Sequence, residues 1–332
     1  MVQARPTTFI QRVDFPVYGL DFSVDDSLIA VGGGGANRSG VKNRVLPEFV
    51  AGINQSIENV KQGNNKNCRV FSNVEGSIAQ KVQISTSTNT DPDEYLKVLR
   101  YSRSGRFIVS GFTDGKVTVL KYPELIPVSP PLRFNDVQDI DIDFQEENVA
   151  VATAKAIIVL SLKDGTIEQV INSPNLNRST IPGETQKLYA VINPTSRGRG
   201  FVCMWNLRPG RQITAKATMF ASVSRKSITS FCVSPVGNLL AYASTDLSIG
   251  LVDAKTLRPV LHVDRAHGFA ITSLKFSRSG KHLASAGADN CCRVMEVPEN
   301  LELGIDYVTP IYVLLCMLMA ALWSHIIVQM AN

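Results

Sequence analysis

Histidine is scarce, with 4 residues in 332. No nucleophile stands in a recognisable arrangement with a base, so hydrolytic chemistry has no visible machinery. The 6 cysteines form no CxxC pair and no metal-ligand spacing, which removes the common zinc and redox readings. Cys68, Cys203 and Cys232 sit in apolar strand-like runs, and Cys291 and Cys292 are adjacent, a pattern of buried reduced thiols. An excess of one charge is also missing. The net charge of +5 is mild and spread out, with no basic stripe or recognition helix, so nucleic acid is not expected as a partner. The N-terminus, "MVQARPTTFIQRVDF", lacks the apolar core of a signal peptide. At 19% charged and 44% hydrophobic residues the chain is globular rather than disordered.

A different absence marks the other end. The stretch "VTPIYVLLCMLMAALWSHIIVQM", residues 308–330, contains no Asp, Glu, Lys or Arg. As a helix it would be about 34 Å long, enough for a hydrocarbon core of about 30 Å. Tyr307, Tyr312 and Trp323 suit interfacial depths. A buried core helix would explain the same composition, but core helices rarely run so long without charge. The expectation is a tail-anchored chain, with residues 1–304 cytosolic and 308–330 a single transmembrane anchor.

Helical periodicity is nearly absent before Tyr307, and one phrase recurs instead. It appears as "YSRSGRFIVSGFTDGKVTVLKY" (101–122), "VSPVGNLLAYASTDLSIGLVDA" (233–254) and "FSRSGKHLASAGADNCCRVMEV" (276–297). Each reads strand, polar turn with Gly, small-residue strand, turn with Asp, strand. "FSVDDSLIAVGGGG" begins the same way, and "IDFQEENVAVATAKAIIVLSL" is a decayed copy. Partial copies bring the count to about seven units near a 40-residue spacing, the period of propeller blades. The fold class expected is therefore all-β, a seven-bladed WD-repeat-like propeller. Asp114, Asp246 and Asp289 should be structural turn residues. His267, Ser285 and Asp289 should form a structural hydrogen-bond network, and "VDFPVYGLDFS" should close the ring beside the Val294 strand.

One stretch escapes the repeat: "VGGGGANRSGVKNRV", residues 31–45. Four glycines in a row are costly, because glycine loses more backbone freedom on folding than any other residue. A phosphate loop would need Gly-Lys-Ser/Thr, but Lys42 comes one place late and no hydroxyl follows it. The dinucleotide pattern GxGxxG fails as well, since Asn37 or Arg38 stands where the third glycine belongs. No nucleotide is expected on this chain. A loop packed too tightly for Cβ atoms can turn carbonyls toward a hard cation or present backbone to a partner.

At these residues the chain resembles the Sec-twelve family of endoplasmic reticulum exchange factors for the small GTPase Sar. The resemblance rests on "AVGGGGANRSGVKN", "STNTDPDEYLKVLRYSRSG" and "RAHGFAITSLKFSRSGKHLASAGADN", followed by the C-terminal span. It implies a propeller facing the cytosol at the endoplasmic reticulum membrane, starting COPII vesicle coat assembly. It implies that residues 32–43 insert near the GTPase nucleotide site, with Gly40, Val41, Lys42 and Asn43 forming the exchange segment. It also implies a potassium ion held mainly by backbone at Gly32, Gly33, Gly34, Gly35 and Asn37. Several members have Ile-Pro where this chain has Val41-Lys42, which loses a rigid φ. The alternative left open is a tail-anchored propeller that acts as a scaffold in export without exchange activity.

Overall fold

Each repeat phrase folds as a strand, a polar turn and a second strand. The computed structural model describes residues 6–22, 28–32, 44–47, 67–74, 77–85, 96–102, 104–122, 124–172, 186–194, 198–207, 217–299 and 301. In chain order the strands are β1 (Thr8–Arg12), β2 (Val17–Phe22), β3 (Leu28–Gly32), β4 (Arg44–Pro47), β5 (Asn67–Val74), β6 (Ser77–Ser85), β7 (Leu96–Tyr101), β8 (Phe107–Phe112) and β9 (Lys116–Lys121). They continue as β10 (Ile126–Pro127), β11 (Leu132–Arg133), β12 (Val137–Ile142), β13 (Asn148–Thr153), β14 (Ala156–Ser161), β15 (Ile167–Asn172), β16 (Gln186–Ile192), β17 (Gly200–Leu207) and β18 (Met219–Ser224). The last are β19 (Ile228–Val233), β20 (Leu239–Ser244), β21 (Ile249–Asp253), β22 (Pro259–Val263), β23 (Ile271–Phe276), β24 (His282–Gly287) and β25 (Cys291–Glu296).

All pairing is antiparallel, and successive sheets pack face to face as propeller blades do. Val98, Val109 and Val119 meet Ile140, Val151 and Leu160 between β7–β9 and β12–β14. Small residues let the closest sheets approach: Ala284 and Ala286 of β24 pack on Phe15, Val17 and Leu20. The expected count of seven blades is not met. Five blades are present, with a three-stranded sheet β2-β3-β4 and a hairpin β5-β6 beside them among the described residues. The two smaller sheets hold the units that begin at Phe22 and Asn64, incomplete copies that the count takes as whole blades.

Closure uses the N-terminus, but not the stretch expected. β1 pairs with β25, from Thr8 opposite Met295 to Arg12 opposite Cys291. "VDFPVYGLDFS" instead leads into β2, because Phe15 and Val17 are drawn into the next core layer. Among the described residues no helix is long and apolar enough to cross a membrane, and residues 308–330 lie outside them.

The turns show why the repeat is legible. The Ser102, Ser234 and Ser277 hydroxyls accept the N–H of Phe107, Leu239 and His282 at 3.1, 3.0 and 3.1 Å. Three residues after each serine comes Gly105, Gly237 or Gly280, with φ of 74°, 75° and 73°. Left-handed backbone favours glycine. In the decayed copy Asp143 replaces the serine and Glu146 takes the glycine place at φ 58°. A few residues downstream, Asp114, Asp246 and Asp289 each accept the N–H two places on, from Lys116, Ser248 and Cys291. They are turn residues, as expected.

Asp289 does more. It accepts the Gly268 N–H at 2.8 Å and lies 3.1 Å from His267 Nδ1, while His267 Nε2 is 2.8 Å from Ser285 Oγ. A neutral His267 satisfies both neighbours by donating from Nδ1 to Asp289 and accepting the Ser285 hydroxyl at Nε2. Asp289→Ala should cost about 1–3 kcal/mol by stranding these donors. A denaturant melt unchanged from wild type would show the network to be dispensable for the fold.

Burial lowers the His267 pKa, and the nearby Asp289 only partly offsets this. The unfolded chain therefore takes up this proton first as pH falls. The contribution of His267 to stability is level above about pH 6.5, the ordinary histidine value, and declines as pH falls from there toward the folded pKa. His267→Gln should be less stable at neutral pH and should flatten the pH dependence of the melting temperature below that value. An equally steep slope in the variant would place the titration elsewhere.

Candidate functional site

The root of the glycine segment is a hairpin. β2, β3 and β4 form one sheet in which Gly32 stands opposite Arg44, Val31 opposite Val45, Ala30 opposite Leu46 and Ile29 opposite Pro47. Residues 33–43 connect a pair already in register, so both ends of the segment are held by ladder hydrogen bonds. Of the residues singled out in the sequence, Gly32 ends β3. Gly33, Gly34, Gly35, Asn37, Gly40, Val41, Lys42 and Asn43 lie outside the described residues.

The support under this root is well connected. Leu28 and Ala30 of β3 are buried against the β24–β25 blade. The Thr272 hydroxyl donates to the Val17 carbonyl, and the Leu20 N–H donates to Ser273 Oγ at 3.2 Å. Val13 N–H donates to the Asn290 carbonyl at 2.9 Å. Thus β2 runs alongside β23 in the same sense, and the hairpin sits on a packed blade rather than on a free ribbon.

Register also assigns the root to a face. Arg12 pairs with Cys291, and five residues later Val17 pairs with Gly32, which pairs with Arg44. These ends, with Ile271 opposite Gly287, make one face of the ring, here termed upper. Thr8 opposite Met295, Phe22 opposite Leu28, and Phe276 opposite Leu283 make the lower face. A strand of six residues separates the two faces by about 20 Å.

Two exposed aromatics share the upper face with the root: Tyr18, 57% exposed, and Phe269, 64% exposed. Sequence reading missed both. The register of β2 slips between Val17 and Gly19, so alternation does not tell which way Tyr18 points. Phe269 sits between the His267 network and β23, where a single aromatic reads as core.

Among the described residues no cluster of three or more His, Cys, Asp or Glu is placed to hold a metal. The cation expected from the sequence would use backbone carbonyls, hard oxygen donors suited to an alkali ion. Thiol chemistry is not offered by Cys203, Cys232 and Cys292, whose burial pushes their pKa values up to about 12.

Residues 258–295 match the family described as "WD domain, G-beta repeat", and this segment carries His267, Ser285 and Asp289. Over most of its length the chain is similar to the Candida glabrata protein named "Guanine nucleotide-exchange factor SEC12", at 22% identity over 345 residues, covering 88% of this chain and 73% of that protein. Two "Putative guanine nucleotide-exchange factor SED4" proteins are also similar. The Saccharomyces cerevisiae one is 23% identical over 337 residues and the Candida glabrata one 21% over 332. The chain covers only 30% and 31% of these two relatives.

Proposed function

We propose that this chain is a guanine nucleotide-exchange factor for a small GTPase of the Sar type. The observation that carries the proposal is similarity to a named exchange factor along 88% of the chain. The glycine segment, rooted between Gly32 and Arg44 on a packed blade, is the element assigned to exchange. It fails both nucleotide-binding patterns, so its work is on a partner's nucleotide rather than its own.

An exchange factor does no covalent chemistry. It binds the nucleotide-free GTPase better than the loaded form, because a ligand shifts an equilibrium only by its differential affinity. In this reading Asn43 supplies an amide that donates and accepts where the departing ligand did. Gly40, Val41 and Lys42 shape the approach. Gly32, Gly33, Gly34, Gly35 and Asn37 are assigned, mainly through backbone, to a potassium ion that would stiffen the segment. Tyr18 and Phe269 add exposed aromatic area on the same face, the residue type that anchors protein interfaces. Residues 308–330 are proposed to anchor the propeller, facing the cytosol, in the endoplasmic reticulum membrane, which confines GTPase activation and COPII coat assembly to that surface.

The test is release of fluorescent GDP from a Sar-type GTPase in the presence of the full chain. Acceleration is expected, together with a stable complex when nucleotide is removed. Binding without acceleration would replace exchange by the scaffold reading.

A further inference from the structure

The chain leaves the propeller on the lower face. Glu296 ends β25, its N–H donates to the Thr7 carbonyl at 3.0 Å, and Val297 N–H donates to the Lys281 carbonyl at 2.8 Å. Val297 and Leu301 then pack onto the core between the last two blades. From Leu301 only six residues, 302–307, precede the uncharged run. Fully extended, that step reaches at most about 25 Å.

This reach sets the orientation. With the upper face toward a bilayer, the tether would first have to climb the strand length of about 20 Å and then pass around the rim. With the lower face toward the bilayer there is slack to spare.

The lower face also carries apolar tips. Val236, at the turn between β19 and β20, is 80% exposed and lines the shallow groove through which Val297, Pro298 and Leu301 leave. Phe144, in the turn between β12 and β13, is 67% exposed. Ile126 and Ile167, each 57% exposed, follow the turns that leave β9 and β14. Glu146 ties the Phe144 turn to the matching turn of the preceding blade through Ser104 Oγ at 2.7 Å and Arg106 at 3.2 Å, so this tip is held in place on the lower face. One exposed apolar residue on a surface means little. A set of them on turn tips, on the face from which a short tether departs, is a different observation.

We propose that the lower face of the propeller rests on the phospholipid surface in which residues 308–330 are inserted, with Val236 and Phe144 entering the headgroup layer. This rests on the membrane-span reading given above. The turns that carry these tips hold Lys163 against Glu124, Asp143, Glu146, Glu147 and Asp164, so the contact is apolar and is not an attraction to anionic lipid. The glycine segment is then presented from the far face, about one strand length above the lipid.

The experiment uses the full chain in vesicles of phosphatidylcholine alone. Val236, Phe144 and, as an upper-face control, Phe269 are replaced one at a time by the photoreactive p-benzoylphenylalanine. After irradiation, phospholipid adducts are read by mass. Strong adducts are expected at positions 236 and 144 and only traces at 269. The pattern should persist in 1 M salt, where charges are screened beyond about 3 Å. Equal adducts at all three positions, or none at 236 and 144, would overturn the docking while vesicle flotation still showed the chain anchored. Adducts at 236 and 144 that disappear in salt would overturn its apolar basis. Failure of the chain to float with the vesicles would remove the span reading, and the docking with it.

Discussion

Asn43→Ala should slow stimulated GDP release by about 30- to 150-fold and leave the melting curve where it was. The two halves of this expectation have separate physical sources. Asn43 precedes Arg44, whose backbone pair with Gly32 fixes the ends of the segment without the Asn43 amide, so the hairpin should form in the variant as before. In the proposed complex the same amide replaces bonds that the departing nucleotide made. Well-placed hydrogen bonds of this kind, with the desolvation of the groups left behind, are worth about 2–3 kcal/mol. That energy enters only the nucleotide-free complex and therefore appears as rate, at about 1.4 kcal/mol per tenfold. Gly34→Val should abolish exchange by a different route, forcing a β-branched side chain into a run of glycines. The measurement is fluorescent GDP release from a Sar-type GTPase beside a thermal melt of each variant. Wild-type release by Asn43→Ala with an unchanged melt would refute the assignment and favour a scaffold.

The sequence was most readable where a turn imposes a chemical requirement. A hydroxyl at Ser102, Ser234 or Ser277, a glycine three places on, and an aspartate at Asp114, Asp246 or Asp289 each satisfy specific backbone groups, so they recur in phase. Where another residue meets the requirement, the pattern fades. Asp143 replaces the serine in one copy, and Glu146 accepts φ 58° because Ser104 and Arg106 hold its carboxylate. Blade counting failed around β2–β6 because the incomplete copies from Phe22 and Asn64 read as whole units, whereas the described residues there form a three-stranded sheet and a hairpin. The closing strand was misplaced by one element because "TFIQR" and "VYGLDF" both read as strands, and only packing of Phe15 and Val17 tells which belongs to the next sheet. At the candidate site the glycine segment was conspicuous in sequence, whereas its aromatic neighbours Tyr18 and Phe269 were not. Their role depends on exposure, which a one-dimensional pattern does not record.

A large loss of stability from a single methyl is expected at Gly250, with no effect on the exchange segment's own chemistry. Gly250 stands directly opposite Tyr242 in the β20–β21 ladder, and the tyrosine ring lies over it. A Cβ there would meet Cε1 and Cζ of Tyr242 at 2.3 Å and its hydroxyl at 2.5 Å. The ring has nowhere to go. Tyr242 is 2% exposed and packs among Val202, Met204, Leu240 and Val252. Its hydroxyl donates to the Val223 carbonyl at 2.7 Å, and burial pushes its pKa up to about 12. Relief of the clash requires the ring to shift by about an ångström, which overpacks its neighbours at about 1–3 kcal/mol and strands the buried hydroxyl at about 1–3 more. Gly250→Ala should therefore cost about 2–5 kcal/mol, a large share of the 5–15 kcal/mol typical of a folded domain. Gly237→Ala is the matched control. Gly237 has nothing within 4 Å of an added Cβ and a φ of +75°, so only the left-handed penalty of about 1–2 kcal/mol applies. Adding Tyr242→Phe to Gly250→Ala should not restore stability, because the ring carbons and not the hydroxyl make the shortest contacts. Equilibrium denaturant melts of the three variants decide the matter. A Gly250→Ala curve coincident with wild type would mean that the blade yields at this point, and rescue by Tyr242→Phe would place the conflict at the hydroxyl instead of the ring.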